Sequence, residues 1–415
     1  MTATPSGASE ASGDRTGAAS STRIPWAMVL AGALIGLLSM GIRQSLGVFL
    51  LAVSEDLGPG REPFSLAVAV LSFLMGLPVA GYLADRYDHR RVLLVSSLTY
   101  GAALVMVSQL QSSAGLVFYL GVVAGLGTSG LSFGVLMGAV GRLVPVERRS
   151  AMMGVIATGT SLGMVLVAPA AQFGLESFGW RASFATIGAV VLAVSFLAFL
   201  FPRQSAMPRG HPEVADEPFK VAVRKARRNR SYLLLTVGFF VNGFHIGMIV
   251  THLPAYLIDG GITGAVASLV LAVIGAVSIF STPLFGRLGD HHRKRNLLMV
   301  IYGTRALLIG GLLISPLSST TALLFGICIG MVWIGAVPLT SATVAHLLGA
   351  RYLSALFGAV FFSHQIGAAI GGWLPGRVFD ATGSYLSIWL LAIVLSVAAF
   401  FIHMPIQDRG PTSAN

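Results

Sequence analysis

Twelve stretches of mostly apolar residues, each about as long as a helix that crosses a bilayer, constrain this chain more than any other feature. They lie at 26–52, 64–83, 92–110, 115–140, 151–173, 182–201, 233–257, 266–286, 297–314, 321–345, 353–375 and 385–403. A peptide backbone in lipid must satisfy its hydrogen bonds internally, so each stretch reads as a helix. No stretch alternates apolar and polar residues over ten positions, which excludes a transmembrane β-barrel. Only 10% of the residues are charged, against about 25% in soluble domains. The expectation is an all-α membrane protein with twelve transmembrane helices.

The loops carry the charge. The chain has 27 basic and 16 acidic residues, a net charge of +11. With the N-terminus placed in the cytoplasm, 22 of the 27 bases face that side and only Arg61, Arg181 and Arg377 face the other. This bias orients the chain with both termini cytoplasmic, in a cell (inner or plasma) membrane. The bases are scattered among short loops, so nucleic acid is excluded as a partner. The run Arg224–Arg230 meets anionic lipid headgroups instead. Cys328 is the only cysteine, which excludes an intrachain disulfide.

Residues 1–25 are small and polar and read as a disordered cytoplasmic tail rather than a signal peptide. A basic cytoplasmic linker, 202–231, separates six spans at 26–201 from six at 232–403, and 404–415 forms a second tail. The halves repeat. Gly81-Tyr-Leu-Ala-Asp85-Arg86, with Arg90 and Arg91 after it, returns 205 positions later as Gly286-Arg-Leu-Gly-Asp290 followed by Arg293-Lys294-Arg295. Ser150-Ala-Met-Met-Gly154 returns 204 positions later as Ser354-Ala-Leu-Phe-Gly358. Parallel repeats of this kind place a substrate site at their interface near the midplane.

These doubled loops resemble the cytoplasmic signature of the major facilitator superfamily of secondary transporters. Asp88 stands where that signature has a second glycine. The resemblance runs from Trp26 to His403 and implies two pseudo-symmetric six-helix bundles that rock about a central site. It also implies a gating role for Asp85, Arg86, Arg90, Asp290 and Arg293, which latch the cytoplasmic helix ends. The first span, Gly41-Ile-Arg43-Gln-Ser-Leu-Gly47-Val-Phe49, with Arg61 beyond it, is similar to the bacterial branch near monocarboxylate transporters and oxalate–formate exchangers. So is the seventh, Gly243-Phe-His245 with Thr251-His252-Leu-Pro254-Ala-Tyr256. Members of that branch carry an arginine on the eighth span, whereas this chain carries Arg305 on the ninth.

Ionisable groups inside spans are costly and point to function. The inventory is Arg43, Arg305, His245, His252 and His364, with no midspan acid. Fixed arginine without a fixed carboxylate favours an anionic substrate, which supplies the countercharge and can be gripped by two parallel bonds. Arg43 is the first candidate contact; its alternative is a carbonyl-bonded arginine at a helix break. Arg305 is a second candidate, or else bonds the kinked eighth span near Pro283. On the seventh span Asn242, His245, His252 and Tyr256 share an arc of about 80° at 100° per residue. His245 and His252 are the candidates for the coupled proton, or else hydrogen-bonded core histidines. His364, Gln365, Trp333 and Ser129 complete the candidate substrate contacts; Ser129 and Ser132 can instead bond their own helix.

Other patterns carry less. Gly125-Leu-Gly127-Thr-Ser-Gly130 matches a dinucleotide motif but has no strand before it, and close helix packing explains it. His291-His292 lacks further ligands at metal spacing, and no phosphate-binding loop is present. No metal or cofactor is therefore expected, and the chain is not an enzyme. The reading is a transporter of a small organic anion, foremost a monocarboxylate, by alternating access with proton symport, functional as a monomer. An exporter of amphipathic or drug-like compounds and an anion/anion exchanger are the alternatives. A sensor built on the same scaffold would need a signalling segment, and none stands out.

Overall fold

The computed structural model describes residues 26–58, 60–77, 83, 88–132, 135–136, 146–201, 219–349 and 352–408. Among the described residues nine helices are long and apolar enough to cross a membrane, and one of these, Gly154–Leu200, covers two of the twelve sequence runs. Two shorter apolar helices, Glu62–Met75 and Ser113–Ser129, hold two more. Each run is therefore helical over most of its described part.

We label the helices α1 (Trp26–Leu57), α2 (Glu62–Met75), α3 (His89–Val107) and α4 (Ser113–Ser129). The helix Val146–Ser195 is broken at Gly179, whose φ of 77° and ψ of 169° separate α5 (146–178) from α6 (180–200). Only glycine adopts that region without strain. The second half holds α7 (Arg230–Asp259), α8 (Gly264–His291), α9 (Lys294–Ile314), α10 (Ser319–Leu348), α11 (Leu353–Thr382) and α12 (Leu386–His403). α10 is interrupted between Met331 and Ala336.

Polar residues at the loop ends start these helices. The side chains of Ser112, Asn229, Thr263 and Ser318 each accept a bond from a first-turn amide of α4, α7, α8 and α10. Asp88 does the same for α3, accepting from the Arg90 amide at 3.2 Å. That explains the departure from the glycine of the signature loop: the position works here as a helix cap.

The packing repeats as the sequence does. α1 lies on α5, α2 on α4 and α3 on α6; in the second half α7 lies on α11, α8 on α10 and α9 on α12. Each pairing recurs six helices later. Glycines set these approaches: Gly121 and Gly125 of α4 face α2, Gly326 and Gly330 of α10 face α8, and Gly367 and Gly371 of α11 face α7. Among the described residues the most extensive contacts between the halves are α2 with α11, α5 with α8, and the single turn of 3₁₀ helix at Leu46–Phe49 in α1 with α7. These also exchange under the repeat, so the seam between the halves runs along an approximate two-fold axis.

Candidate functional site

The middle of this seam holds Arg43. It lies one turn before the α1 backbone tightens into its 3₁₀ turn. Just past it, Gly47 abuts the backbone carbonyls of Val250 and Thr251 on α7. Arg43 is buried, at 6% exposure, and its Nε has no hydrogen-bond partner among the described residues. The titratable groups within electrostatic reach are Tyr100 on α3 and His364 on α11, and neither is an acid that could pair with it. The Tyr100 hydroxyl is also buried without a partner among the described residues. An uncompensated guanidinium in a water-poor site is costly, and an anion relieves that cost.

His364 and Gln365 connect this centre to the opposite half. Gln365 Nε2 donates to the Ser72 carbonyl on α2 at 3.0 Å, and Gln365 Oε1 lies 3.0 Å from His364 Nδ1. An amide oxygen only accepts, so Nδ1 carries the proton of neutral His364 and Nε2 remains an acceptor. The ring stacks on Phe361 and packs against Phe239, with centroids 5.4 Å and 5.0 Å away. Opposite Gln365, a Cβ on Gly76 would come within 2.6 Å of the Gln365 Cβ, so α2 reaches α11 here because position 76 has no side chain.

The other candidates from the sequence lie elsewhere. His245 faces α12: its Nδ1 meets the Val241 carbonyl at 2.8 Å and its Nε2 meets the Ala392 carbonyl at 2.9 Å and the Ser396 hydroxyl at 3.1 Å. The seventh-span arc thus turns into its own half, and His245 is a core histidine with both nitrogens engaged. Tyr256, on the same arc, packs its ring against Trp389 and Tyr385. Asn242 is fully buried and both its amide atoms lack partners among the described residues. Ser129 bonds the Leu126 carbonyl of its own helix at 2.7 Å.

Arg305 requires a correction. Its guanidinium does not reach the eighth span at Pro283; one terminal nitrogen donates to the Val332 and Trp333 carbonyls at 2.8 Å and 2.6 Å. The interruption of α10 frees those carbonyls, which is why the bond forms there. Trp333 is fully buried, and its indole N–H lacks a partner among the described residues.

One end of the seam is fastened by ionic contacts. Arg61 donates two parallel bonds to Asp259 at 2.6 Å and 2.7 Å, a third to the Tyr385 hydroxyl at 2.8 Å, and lies 3.7 Å over the Phe379 ring. The backbone amides of Arg61 and Glu62 donate to Asp380 at 2.7 Å and 2.8 Å, so a carboxylate of α11 caps α2. Glu62 accepts from Arg377 at 3.0 Å and from the Trp373 indole at 3.2 Å. His252 belongs to this fastening: its Nε2 faces the Gly372 carbonyl at 2.8 Å and its Nδ1 the Tyr385 hydroxyl at 3.3 Å. It is buried within the seal rather than solvated at an entrance.

The three ion pairs among the described residues are Arg61–Asp259, Arg181–Asp56 and Arg377–Glu62. They use the very arginines that stood as exceptions to the loop charge bias. Composition and spacing had no means of pairing them, because partners such as Arg61 and Asp259 lie 198 positions apart. Of the five residues expected to gate, Asp85 and Arg86 lie outside the described residues. Arg90 places its guanidinium 4.5 Å over the Phe199 ring within the first half. Asp290 and Arg293 are exposed and make no ion pair among the described residues. Arg295, which the sequence did not single out, instead bonds the Met404 and Ile406 carbonyls and holds the chain beyond α12.

Across residues 32–372, which include Arg43, Arg61, His252, His364 and Gln365, the chain matches the family model of the Major Facilitator Superfamily. The chain belongs to this superfamily. It is a multi-pass membrane protein and a secondary transporter of a small molecule, not an enzyme. Among its relatives are an uncharacterized MFS-type transporter, YcxA, of Bacillus subtilis (strain 168), 23% identical over 399 residues that cover 94% of this chain and 97% of that protein. Monocarboxylate transporter 11 of Mus musculus is 27% identical over 93% of this chain and 88% of its own length. Monocarboxylate transporter 4 of Rattus norvegicus is 23% identical over 88% and 79%.

Solved transporter structures share the fold. A bacterial homolog of the human lysosomal transporter Spinster, inward-facing and occupied, superposes with a TM-score of 0.74 at 16% identity, covering 93% of this chain and 98% of that one. A D-xylose–proton symporter gives 0.75 at 13% identity, covering 94% and 100%.

Proposed function

We propose that this superfamily member carries a small organic anion, foremost a monocarboxylate, together with a proton. The observation that carries the reading is Arg43: a buried guanidinium on the seam between the halves, with no carboxylate near it among the described residues. Anion binding there completes the charge balance, and a planar carboxylate fits the two-pronged guanidinium. The monocarboxylate transporters among the relatives support the same substrate class.

The proton assignment moves with the geometry. His245 and His252 have their nitrogens committed to carbonyl and hydroxyl partners. His364 keeps Nε2 available, and the Arg43 charge acts on its ring. His364 is therefore the proton carrier in this reading, and a bound carboxylate at Arg43 is what makes its protonation favourable. The fastened end, with Arg61, faces outward in this reading, on the side opposite both termini. The short helix Phe219–Arg228, with exposed Lys220, Arg224, Lys225, Arg227 and Arg228, rests on anionic headgroups. The transporter acts as a monomer in the cell membrane.

The test is uptake of labelled acetate, lactate and pyruvate into proteoliposomes at clamped membrane potential. Symport predicts accumulation driven by an acid-outside gradient. Indifference to that gradient sinks the proton claim, and uptake that requires a second carboxylate trapped inside points to exchange.

A further inference from the structure

Arg305 poses a separate problem. It is fully buried inside the second half, and one terminal nitrogen satisfies two carbonyls of the α10 interruption. Its Nε and its other terminal nitrogen, NH1, have no acceptor among the described residues. Neither has the indole Nε1 of Trp333, whose own carbonyl is the one Arg305 grips at 2.6 Å. Arg305 and the residue whose carbonyl it grips thus both carry N–H donors without an acceptor among the described residues. The neighbourhood has no countercharge. α9, α10 and α12 contain no Asp or Glu, and the one acid of α7, Asp259, lies at the far end in the grip of Arg61.

The remaining polar groups nearby do not complete the balance. The Tyr302 ring lies 5.6 Å from the guanidinium carbon, but its hydroxyl donates to the Gly238 carbonyl at 2.7 Å. His245, on which the Arg305 charge acts, has both nitrogens engaged. One helical turn before it, Asn242 contributes another fully buried amide without partners among the described residues.

Buried donors without acceptors around an uncompensated positive charge are the complement of an anion. We propose that Arg305 and Trp333 form an anion subsite inside the second half, distinct from Arg43, that takes a small monoanion: a halide ion or a single carboxylate group. Bound there, the anion neutralises Arg305 and ties α9 to the interruption of α10. The subsite thereby makes that half sensitive to the anion present.

The experiment uses the purified full-length protein in gluconate buffer at constant ionic strength, titrated separately with chloride and with acetate while the unfolding temperature is followed. The wild type shows a saturable rise. Trp333→Phe, which keeps the packing and loses one donor, raises the midpoint concentration roughly tenfold, the loss of one charge-assisted bond. Arg305→Gln abolishes the chloride response, Arg305→Lys weakens it, and Arg43→Gln leaves it in place. Saturation by chloride alone assigns a halide; equal saturation by acetate that competes with chloride assigns a carboxylate. A chloride response that survives in Arg305→Gln but vanishes in Arg43→Gln overturns the proposal. So does the lack of a saturable response to either anion in the wild type.

Discussion

Replacing Arg61 by alanine removes three side-chain hydrogen bonds between the halves and a cation lying 3.7 Å over the Phe379 ring, while the two backbone bonds from Arg61 and Glu62 to Asp380 survive. The Arg61 and Asp259 side chains are 11% and 33% exposed. Truncating one partner of a buried, hydrogen-bonded charge pair costs about 2–5 kcal/mol. Water at Asp259 and the surviving caps put this case at the low end. A loss of about 2 kcal/mol from the fastened state shifts its population against the alternative by about 30-fold.

The shift is readable as a distance distribution between spin labels at Ala114→Cys and Thr320→Cys, two exposed sites in opposite halves, with Cys328→Ser as background. The wild type gives a short population. Arg61→Ala moves weight to a longer one, and Arg61→Lys, which keeps the charge and loses the fork, falls between. An unchanged distribution in a folded Arg61→Ala protein refutes the reasoning, because it means that the fastening contributes nothing to the equilibrium.

Three further outcomes are expected. Gly76→Leu drives a side chain into Gln365, since a Cβ at position 76 already falls 2.6 Å from the Gln365 Cβ, so the same label pair reports loss of the short population. His364→Asn abolishes gradient-driven accumulation in proteoliposomes while labelled substrate still exchanges across the membrane. His245→Phe keeps that accumulation and lowers thermal stability, by about 1–3 kcal/mol for the buried Ser396 hydroxyl left without its imidazole partner.

The helices were readable from sequence because the bilayer demands long apolar runs, and the repeat at offsets 205 and 204 foretold pairings that recur six helices apart. The centre was partly readable. Arg43, His364 and Gln365 stood out because charge and polarity are rare in spans, and the fold brings them together. His245 misled for a definite reason: a helical arc says which residues share a face, not which helix that face meets, and here it meets α12. Tyr100 gave no signal, since one phenol among apolar residues is unremarkable in composition. The fastening at Arg61 depends on partners 198 to 324 positions away, and no local pattern encodes such pairs. The α10 interruption that receives Arg305 contains no proline, so Pro283 on α8 drew the attention instead.

The claim that Arg43 binds the substrate carboxylate is tested most directly by equilibrium binding of labelled monocarboxylates to the purified protein. The account predicts saturable binding by the wild type, binding weakened about tenfold or more in Arg43→Lys, where the two-pronged grip is lost, and none measurable in Arg43→Gln. Affinity in a folded Arg43→Gln protein equal to that of the wild type would contradict it.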